Sequence, residues 1–130
     1  MLSDFEQFRF SHNHLWIKMS DDFTAVCGIT AQAVERIGTI LFVNLPEMRW
    51  EIKKGDRIGY CESVKRIFEI FSPLTGEIIE VNSALGAEPN LINSDPLNSG
   101  WIMKIDVKYR IELEDLLDEN DYYMLDFFSL

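Results

Sequence analysis

The spacing of hydrophobic residues changes once along the chain. Up to about residue 105 they fall in short runs rich in branched and aromatic side chains, separated by turn-forming residues, which is typical of β-strands. These runs lie at 8–29, on both sides of a polar Ser20-Asp21-Asp22 turn, and at 39–45, 57–64, 67–72, 77–81 and 101–105. From residue 111 onward, apolar residues recur at steps of three and four with carboxylates between them. The pattern predicts a mainly-β chain that ends in an amphipathic helix over about 111–128.

One further helix is predicted early in the chain. Thr30 can serve as its N-cap, the apolar residues between 31 and 37 have helical spacing, and Gly38 can end it. Residues 82–100 hold two prolines and several Asn, Ser and Gly residues, so we expect an irregular connection there. Because exposed sheet edges invite aggregation, many short strands favour a flattened barrel or sandwich whose edges are curled or covered.

Size and charge limit the fold and the partners. A chain of 130 residues is expected to form a single domain over 1–130. Its net charge of -10 argues against nucleic acid and anionic membranes as partners, because both would be repelled. The sequence has no apolar stretch near the roughly 20 residues that span a bilayer and no secretory signal pattern, which predicts a cytoplasmic location. Cys27 and Cys61 have neither redox nor zinc-site spacing and are predicted to be buried thiols.

Lys65 is the strongest candidate for a functional residue. It lies with Arg66 between two strong strand candidates, and the short tip contains none of the Gly, Asn or Asp residues that tight hairpin turns prefer. A hairpin tip would hold the lysine clear of the sheet, and its flexible stem ends in a primary amine that an acyl group can cap. From spacing alone, however, an exposed turn lysine without a special role is the better explanation of the pattern.

Around this lysine the chain resembles a known family. The run Glu62-Ser63-Val64-Lys65 is similar to the lipoylation motif of the glycine cleavage system H proteins. Further similarities follow in the family's order and spacing, from about residue 10 to the predicted terminal helix. They are His14 and Trp16, Gly28-Ile29-Thr30, Gly38, Phe42-Val43, Leu45-Pro46-Glu47, Gly55-Asp56, Pro73, Gly76-Glu77, Glu80-Val81-Asn82, Pro89, Asn93, Pro96 and Gly100-Trp101.

This resemblance implies a non-catalytic carrier. The implied fold is mainly β, a flattened barrel-sandwich hybrid of the lipoyl/biotinyl-carrier type with a short early helix and a C-terminal helix. Lipoic acid would be attached covalently to Lys65 by a lipoyl-attaching enzyme, which favours the acid at Glu62; Ser63 and Val64 complete the attachment motif. The arm would take the aminomethyl group of glycine from glycine decarboxylase to an aminomethyltransferase, and dihydrolipoyl dehydrogenase would reoxidise it.

The chain departs from the family pattern where the arm would rest. Family members use two acids there, one in a His-Glu-Trp segment and one shortly after the lipoyl lysine. Leu15 replaces the first acid, whereas Glu69 keeps the second, and His14 and Glu69 are therefore the candidate arm contacts. Beyond the lysine, the family's small residues become bulkier at 66–68, where Phe68 follows Arg66 and Ile67.

These departures leave open which enzymes the carrier serves and whether the chain belongs to another class of protein. The alternative carrier is an H-like lipoate-binding protein that holds sulfur intermediates for enzymes of a heterodisulfide-reductase-like sulfur oxidation pathway, or that relays lipoyl groups to other proteins. Biotin carriers usually place methionines beside their lysine, unlike Val64 and Arg66 here. No nucleophile motif supports a hydrolase. His12 and His14 could share a metal only with ligands that the sequence does not supply nearby. An interaction module with an unmodified Lys65 is the competitor from another class.

Overall fold

A computed structural model describes residues 7–125 of the chain. The strands are β1 Phe8–Phe10, β2 Leu15–Met19, β3 Thr24–Ile29, β4 Ile40–Asn44, β5 Glu51–Ile52, β6 Arg57–Ser63, β7 Ile67–Phe71, β8 Gly76–Val81 and β9 Met103–Val107. The helices are α1 Ala31–Ile37, α2 Leu91–Ser94 and α3 Glu119–Tyr123, with 3₁₀ turns at Ser83–Gly86 and Arg110–Asp115. None of the helices in this part of the chain has the length and apolar character needed to cross a bilayer.

Within residues 7–125 the strands form two sheets. One sheet has six strands in the order β1-β2-β3-β9-β8-β5, and the other has three in the order β4-β6-β7. Side chains of both sheets meet in one hydrophobic core, where Ile17 and Ile105 of the larger sheet join Cys61 and Ile70 of the smaller one. The predicted mainly-β sandwich is confirmed, and the described sheets do not close into a barrel.

Helix α1 forms for the local reasons that the sequence indicated. The Thr30 hydroxyl accepts a hydrogen bond from the backbone N–H of Ala33, which caps the N-terminus. Gly38 ends the helix with a φ of 86°, a conformation that disfavours any residue with a Cβ. The buried face of α1, formed by Ala33, Val34 and Ile37, packs into the core. The predicted early helix is therefore confirmed with its caps.

The predicted amphipathic helix over 111–128 is wrong as one continuous helix, because the α-helix that the structure describes in this range comprises Glu119–Tyr123. The chain forms a 3₁₀ turn over Arg110–Asp115 and then becomes extended at Leu117, which exchanges backbone hydrogen bonds of 2.9 and 2.7 Å with Phe10. Asp118 then caps the separate short helix α3 by accepting from the N–H of Asp121. Pairing with β1 thus overrides the helical spacing of the leucines. The end of the predicted helix, including Phe127 and Phe128, lies outside the described residues.

Candidate functional site at a hairpin tip

The tip between β6 and β7 is organised by Ser63. The backbone N–H of Ser63 donates to the Arg66 carbonyl over 2.9 Å, which closes the turn. The Ser63 hydroxyl accepts from the backbone N–H groups of Lys65 and Arg66, each at 3.2 Å. A serine side chain can replace turn hydrogen bonds in this way, although more weakly than Asn or Asp. The tip therefore needs no Gly, Asn or Asp, and the backbone of Lys65 is held from the preceding strand.

Lys65 stands in an exposed and largely apolar neighbourhood. The lysine itself is exposed, and the side chain of Val64 before it is 80% exposed. On the outer face of the smaller sheet, Glu62 lies between Phe42 on one neighbouring strand and Ile67 on the other. Phe42 and Ile67 are both exposed. Glu62, three residues before the lysine, thus has an exposed apolar residue on each side.

His14 and Glu69, the candidate arm contacts, come together beside the tip. Both line a shallow depression of about 360 Å³, which Arg66 joins from the tip itself. The Glu69 carboxylate is already engaged, because its Oε1 accepts from Arg57 Nε over 2.7 Å. Each of these two side chains is about half exposed, at 50% for Arg57 and 47% for Glu69. The depression therefore offers one acid, Glu69, and water partly screens its ion pair with Arg57.

Leu15 and Phe68 contribute less to this surface than their positions in the sequence indicated. Leu15 is 1% exposed and packs in the main core, and Phe68 is 6% exposed at the inner side of the depression. Of the bulky residues after the lysine, Arg66 and Ile67 are the ones with substantial exposure. The family's first acid is therefore replaced here by a core residue rather than by an apolar surface residue.

Tyr122 is a functional candidate that the sequence analysis missed. Its hydroxyl lies 2.9 Å from His14 Nδ1 and 2.6 Å from the Thr30 hydroxyl. The side chain is fully buried and its ring stacks on Phe10 at 4.8 Å between centroids. Burial raises the pKa of Tyr122 to about 12, so the phenol keeps its proton at neutral pH. The C-terminal segment thereby holds both the N-cap of α1 and one wall of the depression.

His14 is constrained by its backbone as well as by Tyr122. It has a φ of 69°, which is uncommon for a residue other than glycine. Burial lowers the pKa of His14, and the nearby His12 lowers that pKa further. A neutral imidazole is therefore favoured at neutral pH. Both histidines lie before β2 rather than on a strand, and the described residues contain no group of three or more metal-ligating side chains.

Comparison with known proteins identifies the family. The family model described as glycine cleavage H-protein matches residues 8–125. The chain belongs to the glycine cleavage H-protein family. A glycine cleavage system H protein of Thermotoga maritima is 43% identical over 88% of this chain and 91% of its own length, and one of Coxiella burnetii is 41% identical over 89% of each.

A solved structure agrees with this assignment. The crystal structure of a glycine cleavage system H protein from Mycobacterium marinum matches with a TM-score of 0.82 and 29% identity, covering 93% of this chain and 95% of the other. The resemblance drawn from the Lys65 motif is therefore confirmed at the level of the family. Membership in the H-protein family supports the lipoyl carrier role in glycine cleavage and does not favour the sulfur-oxidation alternative.

Proposed function

We propose that this H protein carries a lipoyl group on Lys65 and serves the glycine cleavage system with it. The observation that carries the proposal is the presentation of Lys65, an exposed amine on a hairpin tip whose backbone Ser63 fixes through two hydrogen bonds. A rigid tip with a flexible side chain is what a tethered carrier needs. The sheet fixes the origin of the arm, and the tether raises the effective concentration of its end at each client enzyme.

The residues around Lys65 fit such a group. Attachment requires a primary amine that an enzyme can reach, and the flanking Val64 is 80% exposed. Glu62, on the strand leading to the tip, offers a carboxylate to the attaching enzyme, with Ser63 and Val64 completing the motif. The attached lipoyl group would supply a disulfide that opens to accept the aminomethyl group of glycine on one of its sulfurs. The chain itself positions the amine and performs no catalysis.

The depression beside the tip is proposed to receive the loaded end of the arm. Glu69 is its acid, and a cationic cargo would compete there with Arg57, which already binds this carboxylate at 2.7 Å. His14 would contribute a neutral imidazole rather than a charge. Because Leu15, a core residue, stands where the family has its first acid, that acid is absent from this surface. We therefore expect the chain to hold a cationic cargo less tightly than relatives with both acids.

The partners follow from this role. A lipoyl-attaching enzyme, glycine decarboxylase, an aminomethyltransferase and dihydrolipoyl dehydrogenase would each bind the chain in turn, in the cytoplasm and without nucleic acid or membrane contact. The match over residues 8–125 supports one carrier domain over 1–130. The net charge of -10 suits docking into basic clefts of these enzymes.

Coexpression with a lipoyl ligase and lipoate tests the attachment site. The intact mass of the wild type should rise by one lipoyl group, and Lys65→Arg should abolish the increase because arginine cannot form the amide under these conditions. Lys53→Arg, at another exposed turn, is the matched control and should remain lipoylated. An unchanged wild-type mass would favour the unmodified interaction module, and a persistent increase in Lys65→Arg would assign the group to another residue.

The glycine client is tested with the lipoylated protein. Added to a glycine decarboxylase and labelled carbon dioxide, it should support exchange of label into glycine, and the Lys65→Arg variant should not. Equal exchange with and without lipoylation would contradict the proposed use of the arm.

A further inference from the structure

The side chain of Lys65 does not extend freely from the tip but passes over Gly38. A methyl group built on Gly38 would lie 3.6 Å from both Cδ and Cε of Lys65 and 3.9 Å from Nζ. These are ordinary van der Waals distances for a side chain at position 38, so the methylene stem of the lysine passes over the space that glycine leaves empty at the C-terminal end of α1. A larger side chain at position 38 would occupy the space through which the stem passes.

Asn93 holds this backbone in place. Its side-chain nitrogen donates to the Gly38 carbonyl over 2.8 Å, and its side-chain oxygen accepts from the N–H of Ile40 over 2.9 Å. One amide on α2 therefore fixes the peptide groups on both sides of residue 39. Gly38 also donates its own N–H to the Val34 carbonyl at the end of α1. The surface beneath the lysine is thus tied to two helices.

We propose that Gly38 is a positioning residue for the carrier arm and that Asn93 keeps it in position. The proposal rests on Lys65 being the attachment residue. A lysine side chain has many rotamers, and ordering it at the moment of reaction is unfavourable. The position of the stem over a fixed stretch of backbone restricts the stem beforehand and directs the amine over the end of α1. An attaching enzyme then meets a partly ordered amine rather than a freely moving one.

Gly38→Asn tests the role, with Gly55→Asn as the matched control. Both glycines have positive φ, at 86° and 93°, so both variants strain the backbone. Gly38 also has a ψ of −165°, in a region that is almost restricted to glycine, so the stability of its variant must be measured together with the rate. A side chain at Gly55 meets nothing within 4 Å, whereas one at Gly38 meets Lys65. We expect the initial rate of lipoylation to fall about fivefold or more in Gly38→Asn and to change less than twofold in Gly55→Asn. Circular dichroism must show both variants folded.

A measurement independent of the enzyme tests the contact itself. In the unmodified protein, nuclear Overhauser effects should connect the Lys65 methylene protons with the Gly38 α-protons. Asn93→Asp keeps an acceptor for Ile40 but removes the donor to Gly38, so it should weaken these effects and slow lipoylation in the same direction as Gly38→Asn. This variant also shows whether the hydrogen bonds of Asn93 affect lipoylation when residue 38 itself is unchanged.

The outcomes separate the two proposals. An Overhauser contact without lipoylation of the wild type would overturn the proposed function, whereas the contact itself would stand. Absence of the contact in the wild type, or a normal lipoylation rate in a folded Gly38→Asn variant, would overturn the positioning role and leave the function intact. An equal loss of rate in Gly38→Asn and Gly55→Asn would also overturn it, because backbone strain alone would then explain the effect.

Discussion

Replacing Tyr122 by phenylalanine isolates the hydrogen bonds with which the C-terminal segment holds His14 and Thr30. The ring can keep its stacking on Phe10, while the hydroxyl loses contacts of 2.6 and 2.9 Å. Each hydrogen bond of this kind contributes about 1 kcal/mol net, and leaving a buried partner unsatisfied adds to the loss. Thr30 is 1% exposed and still accepts from Ala33. We therefore expect a loss of about 2 kcal/mol in the free energy of unfolding.

Tyr123→Phe is the control for this change. Tyr123 is 50% exposed and donates to Glu119 at the surface, so its variant should lose less than about 0.5 kcal/mol. Urea denaturation at pH 7, followed by intrinsic fluorescence, measures both variants. Equal stabilities of the two variants would refute the view that the buried hydroxyl holds the C-terminal segment in place.

The same pair of variants gives a pH dependence. The folded-state pKa of Tyr122, about 12, is higher than the value of about 10 for an unfolded tyrosine. The folded state therefore keeps a proton that the unfolded state releases. The resulting stability is fully present below about pH 10 and is lost as the pH rises through about 12. Between these values the wild type should lose stability more steeply than Tyr122→Phe, and parallel curves would contradict the assignment.

Two further predictions concern buried residues. Leu15→Glu restores the acid of the family but places it at a position that is 1% exposed, so it should destabilise the protein by about 3 kcal/mol or more in urea denaturation. Leu41→Glu, at a position 58% exposed, should be nearly neutral, and equal effects would contradict the core placement of Leu15. Cys27 and Cys61 are buried, and burial raises the pKa of both thiols, that of Cys61 to about 12. Neither should react with a thiol reagent at pH 8 until the protein unfolds, and rapid reaction of the folded protein would show that the cysteines are accessible.

The elements that could be predicted from sequence are those fixed by local interactions. Thr30 and Gly38 bound α1 because both caps bond within one turn of the helix. Pro46 follows β4 closely, as a residue that cannot donate to a sheet should. Short strands such as β5, which comprises only Glu51–Ile52 and pairs with β8, carry too few residues for a recognisable pattern. The fold class was thus accessible although some strands were not.

The burial of β2 could not be predicted from the spacing of its hydrophobic residues alone. Leu15 and Ile17 face the main core, while Trp16 between them belongs to a second cluster with Phe10 and Tyr122. Both faces of the strand are therefore covered, and alternation of polar and apolar residues disappears. One residue of this second cluster, Tyr122, comes from the opposite end of the sequence. The burial of Leu15 also depends on residues distant in sequence, because the core that it faces contains Cys61 and Ile70 of the smaller sheet.

The candidate site shows the same division between local and distant determinants. Lys65 and Ser63 could be found because the motif is contiguous, and the tip is built from its own residues. Asn93 was part of the family resemblance, but its bonds to Gly38 and Ile40 join segments that sequence spacing cannot relate. Tyr122 could not be recognised from the sequence, because it lies in a segment whose hydrophobic spacing predicted a helix.

Helix α1 links the two parts of the site. Its N-cap, Thr30, shares the Tyr122 hydroxyl with His14, which lines the depression, and its C-terminal Gly38 lies beneath the stem of Lys65. A helix of seven residues is about 10 Å long, given a rise of about 1.5 Å per residue. Attachment point and depression are therefore held at a short distance by one rigid element. Changes at either cap of α1 should consequently affect the arm and its resting surface through geometry rather than through the chemistry of the lysine.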